Sequence, residues 1–300
     1  MKRYFFTTAL LSSLIYLNDG FASPVFTPKV IYNEDTRQEI ALESPTDIMQ
    51  FVQKRTLAIV HSADFHTQPS GDIIFLPRHY GRAFKLCEDE RFYNQPSLAK
   101  CTASVIGKDL ILTAGHCVSE SGCQFTRFLS DFVLGENGEN PIRTTTENIY
   151  RCKKIIYEND NPASDMAIVQ LDREFPYSPL TLAEAPLNLQ DEILVVGHPS
   201  GLPMKSSGLG PIRKFSGNLI TAELETFGGN SGSPVFKKNS SVIEGILVAG
   251  ETDFVLSENK KCYKTNVCTS TSCSGEDITS AQFIRSVLNR KLFVQDHDHL

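Results

Sequence analysis

A chain of 300 residues, 41% hydrophobic and 21% charged, is long enough for one large domain or two small ones with real cores. Its net charge of −6 comes from 29 basic and 35 acidic side chains, and no run of five like charges occurs. Nothing in this balance points to nucleic acid, so no nucleic-acid partner is predicted.

The first 22 residues have the order of a secretion signal. Lys2 and Arg3 precede an apolar stretch over residues 4–17, and small residues follow it. The pattern predicts a signal peptide over residues 1–22; the alternative, a membrane anchor, needs a longer unbroken apolar span. No later stretch is apolar enough to cross a bilayer. The mature chain is therefore predicted to be secreted or periplasmic, free of the membrane, and a monomer.

From about residue 55 onward the chain consists of short apolar runs separated by Gly, Pro, Asn and Asp. Runs of this length are typical of strands rather than of helices. In chain order they are TLAIV, CTASVIG, DLILTAG, DMAIVQL, EILVVG, PVF and VIEGILVAG. A polar stretch with prolines, DREFPYSPLTLAEAPLNLQ, divides them into two groups. Many short strands predict an all-β sandwich or barrel architecture.

One helix is predicted near the end of the chain, over about residues 278–290. In the segment SAQFIRSVLNR, Ile284 and Val287 recur at helical spacing along one face. Asp277 or Thr279 is the candidate cap at its N-terminus.

The eight cysteines indicate disulfides, because their number is even and the chain is predicted to be exported. They are Cys87, Cys101, Cys117, Cys123, Cys152, Cys262, Cys268 and Cys273. None of them forms the C-x-x-C spacing of a zinc site, and the seven histidines are scattered. The sequence therefore predicts neither a metal nor a cofactor.

The stretch TFGGNSGSPVF places Ser231 among glycines directly before an apolar run. Such a serine is either a presented nucleophile or part of a plain turn. A nucleophilic serine needs a base and an orienting carboxylate. His116 in DLILTAGHCV and Asp165 in SDMAIVQL are candidates, although a structural histidine and a strand-initiating aspartate are the simpler interpretations of each alone. All three occur in the order His, Asp, Ser, which favours catalysis.

The segments LTAGHC, DMAIVQL and GGNSGSPVF resemble the three signature segments of the trypsin-like serine proteases. The resemblance covers about residues 95–290. It implies that His116 is the general base, that Asp165 orients His116, and that Ser231 attacks the substrate carbonyl.

The resemblance also implies a fold. It is an all-β fold of two six-stranded antiparallel β-barrels, with the active site between them and a closing C-terminal helix. The peptidase domain then covers residues 30–300, with the first barrel at about 50–174 and the second at about 175–276.

The same resemblance implies an oxyanion hole made by the backbone N–H groups of Gly229 and Ser231. It further implies a disulfide between Cys101 and Cys117 that pins the turn carrying His116. Cys123 with Cys152 is a plausible second pair; the sequence does not fix the connectivity of the other four cysteines.

Among subfamilies, the motifs are most similar to those of the bacterial glutamyl endopeptidases. Both contain GGNSGSPVF, with Asn230 before the serine, and VIYNEDTRQEI from Val30 resembles the start of their mature chain. The similarity implies that residues 23–29 are a short propeptide, and hence that the protein is made as a zymogen.

The substrate-binding residues implied by the resemblance are Thr226, Val248, Ala249 and Gly250. The last three correspond to the strand edge that pairs with the substrate backbone. Leu247 stands where the glutamyl endopeptidases have the histidine that recognises the acid, so glutamate specificity does not carry over. Glu225 lies near the expected base of the pocket, and we expect its side chain to face solvent.

Taken together, these features predict a secreted serine endopeptidase that hydrolyses the peptide bonds of polypeptide substrates through an acyl-enzyme. The alternative is a catalytically inactive, protease-like binding protein, because a fold alone does not imply activity. The complete His, Asp and Ser set favours the enzyme. An α/β-hydrolase esterase has the order Ser, Asp, His and alternating strands and helices, which this chain lacks.

Overall fold

The structure is a computed structural model, and it describes residues 31–297 except 33, 41–45, 260 and 269–272. The expected signal peptide over residues 1–22 and the expected propeptide over 23–29 lie outside the described residues. Among the helices that are described, none combines the length and apolar character that a membrane crossing needs.

The regular secondary structure of the described residues is mostly β-strand, with few helices. Helix α1 spans Asp47–Gln53, α2 spans Tyr80–Ala83 and α3 spans Ala281–His297. The strands are β1 (Ile31–Tyr32), β2 (Gln38–Glu39), β3 (Thr56–His61), β4 (Phe65–Thr67), β5 (Ile73–Phe75), β6 (Arg78–His79), β7 (Pro96–Ser97), β8 (Cys101–Val105), β9 (Leu110–Thr113), β10 (Thr126–Leu129), β11 (Arg143–Thr144), β12 (Ile149–Asn159), β13 (Met166–Leu171), β14 (Thr181–Leu182), β15 (Glu192–Gly197), β16 (Lys205–Ser206), β17 (Gly210–Ser216), β18 (Leu219–Ala222), β19 (Pro234–Lys237), β20 (Val242–Ala249), β21 (Phe254–Leu256), β22 (Tyr263–Thr265), β23 (Val267–Cys268) and β24 (Glu276–Ser280).

The first half of the chain forms a closed six-stranded barrel in the order β10-β12-β13-β9-β8-β3. All neighbouring strands are antiparallel, and β10 pairs with β3 to close the ring. This barrel confirms the predicted β architecture for the first group of apolar runs.

Strand β3 is apolar on both faces, which explains the unbroken run TLAIV. Leu57 and Ile59 pack in the barrel core, whereas Ala58 and Val60 pack with Phe75 on the outside of the barrel. Phe75 belongs to a small sheet of β4, β5 and β11. A strand buried on both faces gives a continuous apolar run instead of an alternating one.

The second half of the chain forms a nine-stranded sheet, in the order β14-β20-β24-β18-β17-β15-β16-β2. The ninth strand, β19, lies off this path and pairs with both β15 and β20. The core packed against this nine-stranded sheet contains Ile193, Val195, Val235, Leu247 and Ile278, all of them buried. The second six-stranded barrel stays a prediction.

Helix α3 follows strand β24 without a break. The backbone N–H of Phe283 donates to Ser280 Oγ at 3.4 Å, so Ser280 caps the first turn. The predicted caps Asp277 and Thr279 are wrong, because both lie in β24 and pair with β18. Ile284 packs in a core shared by strands of both halves of the chain, so α3 stabilises their junction.

All eight cysteines are in disulfides. The pairs are Cys87–Cys262, Cys101–Cys117, Cys123–Cys152 and Cys268–Cys273. The first of them joins residues that are 175 positions apart. It therefore ties the segment between β6 and β7 to the loop between β21 and β22.

Candidate active site

His116 and Asp165 meet because the strands next to them in the chain are paired. His116 lies in the short 3-10 turn Gly115–Cys117 that follows β9, and Asp165 immediately precedes β13. Strands β9 and β13 are antiparallel neighbours in the barrel. Their ends bring His116 Nδ1 to 2.5 Å from Asp165 Oδ2.

The other oxygen of the Asp165 carboxylate holds the backbone of the turn. Asp165 Oδ1 accepts the N–H of Gly115 at 2.5 Å and the N–H of His116 at 3.3 Å. The Thr279 hydroxyl donates to the Asp165 carbonyl at 2.8 Å. Asp165 is only 5% exposed, and the two backbone N–H donors to its carboxylate compensate for the burial of its charge.

The imidazole of His116 is accessible and electrostatically prepared to hold a proton. Its side chain is 42% exposed. The hydrogen bond with Asp165 raises the pKa of His116 above its ordinary value of 6.5; burial opposes the shift, and the charge of Asp165 adds to it. A histidine whose charged form is stabilised in this way suits the role of a general base.

Ser231 lies beside this pair, in the loop that precedes β19. Its carbonyl accepts the N–H of Thr102 in β8 at 2.9 Å and lies 3.6 Å from Cys117 Sγ. Cys117 follows His116 directly and is joined to Cys101. The structure thus joins His116 to Asp165 and places the backbone of Ser231 against Cys117, the residue that follows His116.

The glycines before Ser231 hold an unusual backbone. Gly229 has φ +96°, and a Cβ added there would lie 2.6 Å from the carbonyl oxygen of His198. The Gly229 carbonyl accepts the Thr102 hydroxyl at 3.0 Å, which fixes the peptide. Among the described residues, no hydrogen bond uses the backbone N–H of Gly229 or Ser231. Both N–H groups therefore have the freedom that a developing oxyanion would need.

A cavity of about 520 Å³ opens beside Ser231, and we call it the Ser231 cavity. Three of the predicted substrate-binding residues line it: Thr226, Ala249 and Gly250. The fourth, Val248, does not, because its side chain is buried in the core beneath α3. A role for Val248 through its backbone stays a prediction.

Leu247 lines the cavity and contributes an apolar side chain there. The expectation that Glu225 faces solvent is wrong. Glu225 is 6% exposed and is not among the residues that line the cavity. Its Oε2 accepts the N–H of Thr36 at 2.7 Å and the Thr36 hydroxyl at 2.8 Å, so Glu225 anchors the N-terminal segment.

Sequence reasoning missed the acidic and aromatic residues of the cavity. Glu251, Asp253 and Glu276 contribute carboxylates, and Phe84 and Tyr263 contribute aromatic walls. Phe84 comes from the segment between β6 and β7. Cys87 and Cys262, which form the disulfide near Phe84, were the available signal, but the sequence does not fix their pairing.

The cluster of Cys101, His116 and Cys117 brings three potential metal-ligand atoms within 4.8 Å of one another. Both sulfur atoms belong to the disulfide, so neither is a thiolate. Only the imidazole of His116 then keeps a free ligand atom.

Comparison with known proteins agrees with the barrel and the motifs. The family model of the trypsin-like peptidase domain matches residues 101–244. A solved structure of a Glu endopeptidase in complex with MPD is similar in fold, with a TM-score of 0.51 and 15% identity over 88% of this chain and 100% of that chain. The Vibrio cholerae VesB protease has a TM-score of 0.50 and 15% identity, over 87% of this chain and 67% of that one. No curated protein sequence matches the chain.

The closed six-stranded barrel, with His116 and Asp165 at its edge, is consistent with the trypsin-like fold. The matched residues include His116, Asp165 and Ser231. Over these residues the chain is similar to the trypsin-like peptidase family, which confirms the resemblance of its motifs to those of trypsin-like serine proteases.

Proposed function

We propose that this protein is a secreted or periplasmic serine endopeptidase that hydrolyses polypeptides through an acyl-enzyme at Ser231. The observation that carries the proposal is the pair of His116 and Asp165, joined at 2.5 Å on a turn whose next residue contacts the backbone of Ser231. A histidine oriented by a buried carboxylate, next to a serine, is the arrangement that activates a hydroxyl.

In the proposed reaction, His116 transfers one proton during acylation and another during deacylation. The Nδ1–H donates to Asp165, so the unprotonated Nε2 accepts the proton of the Ser231 hydroxyl as its oxygen attacks the scissile carbonyl. The N–H groups of Gly229 and Ser231 stabilise the oxyanion. Imidazolium Nε2–H then protonates the leaving amine, and the acyl-enzyme remains. Water, deprotonated by His116, attacks the ester and releases the acid, and the proton returns to Ser231.

The substrate backbone would pair with the end of strand β20. On one edge of β20, the pairing with β19 ends at Ile246 among the described residues. Pairing with β24 on the opposite edge is irregular between Leu247 and Ala249. An unpaired edge at residues 248–250 supports addition of an extended peptide there, next to Ser231.

The second barrel belongs to the same proposal. Strand pairing runs from β15 through β17, β18, β24, β20 and β19 and returns to β15. A ring of this kind supports a second six-stranded barrel, with Ser231 in the cleft between the two.

Export and activation are also proposed. Disulfides that use all eight cysteines support an oxidising compartment. We infer that removal of residues 1–22 and then of 23–29 leaves Val30 as the mature N-terminus of a monomeric protease.

The test is proteolysis of an unfolded polypeptide by the purified secreted chain, with new N-termini identified by mass spectrometry. Wild type is expected to cleave it. Ser231→Ala is expected to lose turnover by at least about a thousand-fold. Ser121→Ala, which changes an exposed serine that does not line the Ser231 cavity, serves as the matched control and should cleave as wild type does. Equal cleavage by Ser231→Ala would contradict the mechanism, and binding without cleavage by wild type would favour the inactive binding protein.

A further inference from the structure

We propose that the Ser231 cavity binds the side chain of a lysine or arginine that precedes the scissile bond, with Glu276 as the residue that recognises its positive charge. The inference rests on the proposed function, because the cavity is a specificity pocket only if Ser231 attacks the substrate.

Three carboxylates face the cavity, and the charge of Arg37 acts on one of them, Asp253. Glu251 and Asp253 lie in the loop after β20, and Glu276 begins β24. Ion pairs occur elsewhere in the described part of the chain, but none of them includes these three residues. An acidic cavity of this kind is complementary to a ligand that carries positive charge.

Glu276 is the most buried of the three carboxylates, at 1% exposure. Its Oε2 accepts the hydroxyl of Thr226, and its Oε1 accepts the N–H of Glu251 at 3.4 Å. A Cβ added at Gly250 would collide with Glu276 Oε2, so the carboxylate lies directly against the backbone of the cavity wall. Thr226 and Gly250 therefore fix the position of the Glu276 carboxylate inside the cavity.

The electrostatics of the cavity agree with this geometry. Burial raises the pKa of Glu276 to about 8, and the charges of Asp253 and Glu251 raise it further. Burial likewise raises the pKa of Asp253 to about 6. Tyr32, from β1, is a further titratable group that the charge of Glu276 reaches. A bound ammonium or guanidinium would offset the mutual repulsion of these carboxylates and favour their ionised forms.

The walls of the cavity suit a long aliphatic stem with a charged end. Phe84, Phe227, Phe254 and Tyr263 contribute aromatic surface. The stems of lysine and arginine bury apolar area, and aromatic faces attract their cationic ends. A substrate glutamate would instead meet three carboxyl groups, and Leu247 offers it no positive charge.

The discriminating experiment compares substrates that differ only in charge. Peptides with arginine before the scissile bond are paired with citrulline peptides, and lysine peptides with norleucine peptides, because each pair has nearly the same shape. For wild type we expect kcat/KM to favour the charged member by about 100-fold. Glu276→Gln, which keeps the shape, should reduce this preference by about tenfold or more.

The matched control is Glu225→Gln, since Glu225 is an equally buried glutamate outside the cavity. We expect it to leave the charged-to-neutral ratio unchanged. If Glu276→Gln fails to fold, Asp253→Asn takes its place and should also lower the ratio. A ratio near one in wild type, or a ratio unaltered by Glu276→Gln and Asp253→Asn, would overturn the inference.

Titration of each sample with a small fluorophosphonate separates this inference from the proposed function. Such a probe reports a reactive Ser231 and does not depend on the cavity. A wild type that reacts but shows no charge preference contradicts the role of Glu276 alone. A wild type that does not react contradicts the proposed function, and the role of Glu276 with it.

Discussion

Asp165 binds both the ring of His116 and the backbone of the turn that carries the ring. Its Oδ2 lies 2.5 Å from His116 Nδ1, while its Oδ1 accepts the N–H groups of Gly115 and His116. A single carboxylate therefore sets both the position of the turn and the tautomer of the imidazole.

This double role predicts the effect of Asp165→Asn. The two backbone N–H donors would hold the amide oxygen and turn the amide NH₂ toward His116 Nδ1. Nδ1 would then have to accept, and the proton would move to Nε2, where it blocks uptake of the Ser231 proton. We expect kcat to fall by about 10⁴-fold, measured on a neutral peptide substrate.

The thermal unfolding midpoint of Asp165→Asn should stay close to that of wild type, because the amide keeps the backbone hydrogen bonds. An active Asp165→Asn, or one that loses activity only by unfolding, would contradict the role given to Asp165.

The pH dependence follows from the raised pKa of His116. Only the neutral imidazole accepts the serine proton, and the hydrogen bond with Asp165 favours the charged form. Activity should therefore fall, as the pH is lowered, through an apparent pKa above 6.5. The measurement is kcat/KM against pH with a norleucine substrate. Because norleucine is uncharged, it makes no ion pair with Glu276 whose titration would add to the pH profile. An inflection below 6.5 would show that Asp165 does not stabilise the imidazolium.

The Cys101–Cys117 disulfide should matter more to activity than to folding. It closes a 16-residue separation that contains His116, and its removal costs about 3 kcal/mol in the chain-entropy model. We expect Cys101→Ala with Cys117→Ala to lose most peptidase activity at temperatures where circular dichroism shows a folded protein.

The control is removal of the Cys123–Cys152 disulfide. It closes a 29-residue separation in the same barrel core and contributes about 4 kcal/mol on the same basis. Removal of the Cys123–Cys152 disulfide should destabilise the fold at least as much as removal of Cys101–Cys117 does, but it should leave peptidase activity intact. Equal loss of activity in both variants would mean that the first disulfide does not position His116.

Gly229 is predicted to be irreplaceable for two separable reasons. Its φ of +96° strains any other residue, and an added Cβ would meet the His198 carbonyl. Gly229→Ala should displace the N–H groups beside Ser231 and lower kcat by about 10²–10³-fold. Gly71 has φ +92° with open space around it, so Gly71→Ala tests the strain alone. Gly71→Ala should lose some stability and no activity; comparable kcat values for both variants would contradict the oxyanion assignment.

Much of the fold could be predicted because each signal was local. Apolar runs of strand length mark β3, β8, β9 and β13, and the paired strands β9 and β13 carry His116 and Asp165. The helical periodicity at Ile284 and Val287 located α3, although its cap is Ser280. Propensity favours aspartate and threonine as caps, but pairing of β24 with β18 keeps Asp277 and Thr279 in the strand.

The cavity could not be predicted because its walls come from distant parts of the chain. Phe84 reaches it through a segment fixed by the Cys87–Cys262 disulfide, and no local pattern pairs those two cysteines. Glu276 looks like an ordinary exposed glutamate before a strand, and only tertiary packing buries it. Glu225 shows the same error: it is buried, and it accepts hydrogen bonds from Thr36, which lies 189 positions away in the chain.

The most direct test of the central claim is stoichiometric titration of the secreted protein with a small fluorophosphonate, followed by peptide mapping. The proposed function predicts one phosphonyl group per chain, attached to Ser231, with its rate of attachment reduced by several orders of magnitude in His116→Ala. A wild type that remains unmodified, or an adduct on another residue, would contradict the assignment of Ser231 as the nucleophile.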